Sequence, residues 1–136
     1  MRIDINNTSI LSTKGITLHD DYFLNFNYFD SSNTITVNML SRDHNNFYTI
    51  EFVNVIGFKM STCSFWGSTP HVYWFGYSNL NEQTIIPELK KIYKENPNFH
   101  NPFENKEYIE IELILSSSNT LTIACEFINL NKNEMS

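Results

Sequence analysis

The chain has 136 residues, 41% hydrophobic and 15% aromatic, which is enough apolar material for one packed domain over 1–136 and excludes a disordered chain. A net charge of −6 and a single basic doublet, Lys90-Lys91, exclude the basic face that nucleic-acid binding needs. No run approaches the roughly 18 apolar residues of a membrane helix.

Met1-Arg2-Ile3-Asp4-Ile5 lacks the apolar core of an export signal, and two cysteines, Cys63 and Cys125, are too few for a disulfide framework. A reducing, cytoplasmic setting is the expectation. Nineteen asparagines, many in turn-like clusters, supply residues that tolerate left-handed backbone.

The hydrophobic period is two along most of the chain. Leu24, Phe26 and Tyr28 alternate with Asn25 and Asn27, and Ile35, Val37 and Met39 alternate with Thr36 and Asn38. Asp30-Ser31-Ser32-Asn33 separates the two runs, so a hairpin is predicted with Tyr28 opposite Ile35, Phe26 opposite Val37 and Leu24 opposite Met39. Tyr48, Ile50 and Phe52 predict a third strand running through Val55, with a bulge or bend near Gly57.

His71 to Tyr77 reads as a strand that is aromatic on both faces, with Val72 and Trp74 on one and Tyr73, Phe75 and Tyr77 on the other. That pattern predicts a central position, covered twice. Pro87 suits a first helical position, Leu89, Ile92 and Tyr93 share a face, and Asn96-Pro97 ends the helix. Last comes a hairpin of Ile109, Ile111, Leu113 and Leu115 against Leu121, Ile123, Cys125 and Phe127. Matching the apolar faces over a three-residue loop sets Leu115 opposite Leu121, with Asn119 in a left-handed bulge position. Ser31-Ser32-Asn33-Thr34 and Ser117-Ser118-Asn119-Thr120 share turn chemistry rather than a duplicated ancestry.

Three clusters have residue types that could do chemistry. Cys63, Trp66 and His71 offer a thiol, an indole and an imidazole around one turn. A Cys-His nucleophile would need both groups within hydrogen-bond reach, whereas a structural reading buries the thiol beside Phe65 and Trp66. His19-Asp20-Asp21 has the residue types of a metal site, yet a strand would point His19 and Asp20 to opposite faces, and no other histidine stands at ligand spacing. The predicted register also sets Glu110 opposite Glu126, with Glu112 two residues along. Facing carboxylates repel, and a basic partner or Lys106 or Lys132 would relieve that.

Ile16-Thr17-Leu18-His19-Asp20, the hairpin after it, and Cys63-Ser64-Phe65-Trp66-Gly67 resemble features of small bacterial proteins, some of which stand beside polymorphic or contact-dependent toxins and act as immunity proteins. The resemblance spans roughly residues 16 to 77. It implies a small, acidic, cytoplasmic protein without an enzymatic role, and it transfers no toxin-binding residue.

The expected fold is mainly β (α+β): an antiparallel twisted sheet of six to eight strands, a sandwich or partial barrel, with one short helix packed on it. The expected function is a non-catalytic protein-interaction domain that blocks a basic toxin through Glu110, Glu112 and Glu126. No cofactor or metal is expected, and neither is nucleic acid or membrane. The rival is a small-molecule-binding or hydrolytic domain with its pocket near Cys63, Trp66 and His71, and a third reading is a homo-oligomer joined by an aromatic strand.

Overall fold

The computed structural model describes residues 1–9, 21–61, 71–78, 81–116 and 119–134. The alternating runs form β2 (Tyr22–Phe29), β3 (Thr34–Leu40), β4 (Asn46–Met60), β5 (Val72–Tyr77), β6 (Ile109–Leu115) and β7 (Thr120–Glu134), after a short β1 (Arg2–Ile3). A helix, α1 (Ile85–Glu95), stands between β5 and β6. The loop after it contains one 3-10 turn at Pro102–Glu104, capped by the Asn101 side chain accepting from the Phe103 N–H.

The strands make one antiparallel sheet in the order β2-β3-β4-β7-β6-β5, with β1 paired to the later part of β7. The sheet does not close. Among the described residues its two end strands approach at a single bridge, Tyr22 to His71, beside a 2.8 Å bond from the Val72 N–H to the Asp21 carbonyl. Ile35, Val37, Met39, Ile50, Phe52, Ile111, Leu113, Leu121, Ile123 and Ile128 fill the inner face, each 2% exposed or less. At about 1.5–3 kcal/mol for each buried side chain of this size, this face dominates the folding energy.

Three details depart from the sequence reading. In the first hairpin Tyr28 meets Ile35 and Phe26 meets Val37, but Phe23 rather than Leu24 lies opposite Met39. A bulge at Leu24 turns that side chain outward. The last hairpin is displaced by two residues: Leu113 meets Leu121, Ile111 meets Ile123 and Glu110 meets Ala124. The ladder pairs Ile114 with Thr120, and the Leu115 N–H donates to the Asn119 carbonyl at 2.9 Å, so Asn119 stands across from Leu115. Finally, β5 is an end strand and not a central one. A bulge between Val72 and Trp74 puts Val72 and Phe75 into the core and leaves Trp74 on the outer face.

Near its middle, β4 bends. Asn54 has a φ of 57°, which asparagine tolerates better than most residues. Beyond it the pairing slips, so that Val55 meets Cys125 but Gly57 meets Ala124. The bend expected near Gly57 is there. It brings two small residues, Gly57 and Ala124, side by side on the outer face, where α1 lands.

Under α1, Ile85, Ile86, Tyr108 and Ala124 form a second buried cluster, with Ile56, Leu89 and Phe103 at its margin. The helix begins at Ile85, two residues before Pro87. Its first turn is held by a tertiary partner that the local sequence does not reveal.

Candidate functional site

That partner is Glu110. Its carboxylate accepts the N–H groups of Thr84 at 2.8 Å, Ile85 at 2.8 Å and Ile86 at 3.1 Å. A helix leaves its first N–H groups without intrahelical acceptors, and its N-terminal end favours negative charge. Pro87, the next residue, has no N–H to satisfy. Glu110 is 1% exposed. It is therefore not part of an accessible acidic face: it ties β6 to α1 and belongs to the core.

Glu126 is separated from Glu110 as well. It lies opposite Asn54 across β4 and β7, accepts from the Asn54 amide at 3.0 Å, and pairs with Lys106 at 3.3 Å. The Asn54 bond, and after it Lys106 and Arg2, hold its carboxyl below the usual carboxylate range. Lys106, one of the two lysines expected to offset facing carboxylates, pairs among the described residues with Glu126 alone, since Glu110 does not face it. Glu126 in turn helps to raise the Tyr108 phenol, for which burial is the larger cause.

Asn54, Lys106 and Tyr108 line a cleft of about 460 Å³ between the sheet and the loop after α1, joined by Asn33, Tyr93 and His100. A space of this size is within the range of small-molecule sites. The wall is mixed, with four amide- or ammonium-bearing side chains, Asn105 among them, and two phenols.

The third of the predicted carboxylates has different surroundings. Glu112 lies on the outer face of β6, opposite Gly76 of β5. Across Gly76 lies the indole of Trp74, so close that a Cβ there would be 2.7 Å from Cζ2. Trp74 is 51% exposed. Glu112 makes no ion pair among the described residues. An exposed indole and an uncompensated carboxylate thus share one patch on the open end of the sheet.

The sequence reading assigned Trp74 to a doubly covered strand and missed this. The available signal was Trp74-Phe75-Gly76: a glycine two positions from an aromatic leaves a bare patch of strand that the ring covers.

Cys63 and Trp66 lie outside the described residues, as do His19 and Asp20. His71 packs edge-on against Tyr22 at 4.6 Å, while His44 approaches the same ring at 5.2 Å. Asp21 is buried, with its carboxylate accepting the Arg42 N–H at 3.1 Å. Cys125 is fully buried in the inner core, and burial, with Glu126 second, pushes its thiol far above the ordinary range. Such a thiol is inert. Among the described residues, no three His, Cys, Asp or Glu side chains converge as metal ligands, and no helix is long and apolar enough to cross a membrane.

No family model matches the chain, and no curated protein matches it significantly. A solved structure, described as an uncharacterized protein from Neisseria gonorrhoeae, is similar at 14% identity over 96% of this chain and 97% of its own, with a TM-score of 0.43.

Proposed function

We propose that this chain is a non-catalytic protein-interaction domain of the immunity type, which binds and blocks a basic protein through the patch of Trp74 and Glu112. The observation that carries this reading is the exposed Trp74 indole laid over Gly76 and opposite Glu112. An arginine or lysine of the partner would stack on the indole, worth about 0.5–2 kcal/mol, and donate to the carboxylate. Tryptophan anchors of this kind carry a disproportionate share of interface energy. The net charge of −6 would speed encounter with a basic surface without fixing its geometry.

Of the three carboxylates first expected at the contact, Glu112 is the one left to make it. Glu110 serves the helix, and Glu126 is held by Asn54 and Lys106.

The test is affinity capture from the native cell with two baits, wild type and Glu112→Lys. A basic protein retained in stoichiometric amount by the wild type and lost by the variant supports the reading. Equal retention by both baits removes Glu112 from the contact.

The cleft of Asn54, Lys106 and Tyr108 favours a second reading, a small-molecule-binding domain. Its test is a fragment screen read by NMR: ligands that shift the Tyr93 and Tyr108 rings but leave the Trp74 indole unmoved would support it.

A further inference from the structure

Long, flat strands at the edge of a sheet present unpaired N–H and C=O groups, and soluble proteins usually guard them with lysine, proline or a covering element. Strand β2 stands at one end of the sheet, and among the described residues its outer edge is met only at Tyr22, by the bridge to His71. Its eight residues, Tyr22–Phe29, include no charge and no proline. Large apolar side chains are exposed along it: Leu24 at 41%, Tyr28 at 42% and Phe29 at 50%. Phe58, on the bent half of β4, adds a ring 5.0 Å from Tyr28. Among the described residues the one guard is the bulge at Leu24, which leaves a regular stretch of five residues, 25–29.

We infer that a second copy of this chain covers that edge, with β2 pairing antiparallel to β2 of the other copy about a two-fold axis at Asn27. Two features select this occupant over a charged one. A basic partner would find no carboxylate on residues 22–29, whereas a second uncharged strand brings no like charges together there.

The stretch is also self-complementary. Centring the pair on Asn27 uses all five regular residues and sets Phe26 of each copy opposite Tyr28 of the other, on one face. Aromatic cross-strand pairs of this kind stabilise antiparallel sheets. On the other face the structure already holds an amide ladder. Asn38 Nδ2 donates to Asn25 Oδ1 at 2.8 Å, Asn27 Nδ2 donates to the same oxygen at 3.3 Å, and Thr49 Oγ1 donates to Asn38 Oδ1 at 3.2 Å. The two-fold would extend that ladder, through Asn27, into the second copy. A closed two-fold contact also consumes the edge, where an open one would propagate.

This surface is separate from the Trp74 patch, and its dependence on salt has the opposite sign. Each copy has a charge of −6, so screening should tighten the pairing of two copies and weaken the capture of a basic protein.

The experiment is analytical ultracentrifugation of the full chain across a wide concentration range, with hydrogen exchange at both ends. The expected result is a mass that doubles from 16.0 kDa as concentration rises, with the amides of 25–29 that point away from β3 becoming protected in step and added salt shifting the midpoint to lower concentration. Asn27→Lys places two ammonium groups at the axis and should hold the chain monomeric, with an unchanged circular dichroism spectrum, while Asn27→Thr should still dimerise. Three results would overturn the inference: a monomer at every concentration, the outward-pointing amides of 25–29 protected in the monomer, or a dimer that Asn27→Lys leaves intact.

Discussion

Glu110 Oε1 accepts the Ile85 N–H at 2.8 Å and so joins the start of β6 to the first turn of α1. The helix has only 11 residues, too short to persist by itself in water. Its Ncap residue, Thr84, makes no side-chain capping bond, so the acceptor comes from 26 residues further along the chain.

Replacing Glu110 with alanine should therefore destabilise the fold by roughly 3–5 kcal/mol, because it strands buried N–H groups and opens a cavity. At about 3–4 °C per kcal/mol for a chain of this size, the melting temperature should fall by about 9–20 °C. Glu110→Gln keeps an acceptor and should cost less. Calorimetry on both variants measures this, and a Glu110→Ala melting curve equal to the wild type would show that the helix does not depend on the carboxylate.

Gly57 should prove as demanding as a core residue. A Cβ there would come within 2.9 Å of Ile85 Cγ2 and 3.4 Å of Leu89 Cδ1. Gly57→Ala forces α1 away from the sheet at a cost of about 1–3 kcal/mol. Adding Ile85→Ala makes room for the methyl, so the double variant should lose less than the sum of the two single ones in chemical denaturation.

How the chain alternates was readable, but how far each strand slides was not. The period of two put Ile109, Ile111, Leu113 and Leu115 on the inner face correctly. A slide of two residues preserves every one of those facings, so the pattern did not distinguish Leu115 from Leu113 as the neighbour of Leu121. That slide separated Glu110 from Glu126. The first hairpin was matched better because four turn-forming residues fixed its loop, until the bulge at Leu24 displaced the register. Burial of Glu110 was hidden for another reason: its partners are backbone N–H groups of a distant segment, which no side-chain pattern records. Trp74 was misassigned because an apolar strand was taken as a covered one, although the adjacent Gly76 marked where its ring would lie.

Gly76→Ala should act on Trp74 rather than on the core. The added methyl would meet the ring at 2.7 Å, and an indole half in solvent can swing aside. In a Trp66→Phe background the remaining tryptophan emission should move to the red with little change in melting temperature. An unchanged spectrum would mean that the ring does not rest on Gly76.

Acid should weaken the Asn54–Glu126–Lys106 connection. The carboxyl of Glu126 has a lower pKa folded than unfolded, so the stability it adds is fully present above the unfolded value. It is lost as the pH falls through the folded one. Lys106→Met removes the ion pair at 3.3 Å and lessens that lowering, so it should cost stability near neutrality and shrink the further loss on acidification, which still begins at the unfolded value but ends at a higher pH. Urea titrations between pH 2 and 7 test the sign: an acid-induced loss in Lys106→Met as large as in the wild type, or larger, would contradict it.

The Cys125 thiol should react only when the molecule opens. It is fully buried and its pKa is raised, so in Cys63→Ser the labelling rate should follow global unfolding across a denaturant series. Rapid labelling of native Cys63→Ser would place Cys125 within reach of solvent.

The most direct test of the Trp74 and Glu112 contact is stopped-flow association with the captured basic protein, measured against ionic strength for wild type, Glu112→Gln and Trp74→Ala. The wild-type on-rate should fall steeply with salt, Glu112→Gln should flatten that slope, and Trp74→Ala should mainly speed dissociation. An on-rate indifferent to salt, with both variants binding as the wild type does, would contradict the contact outright.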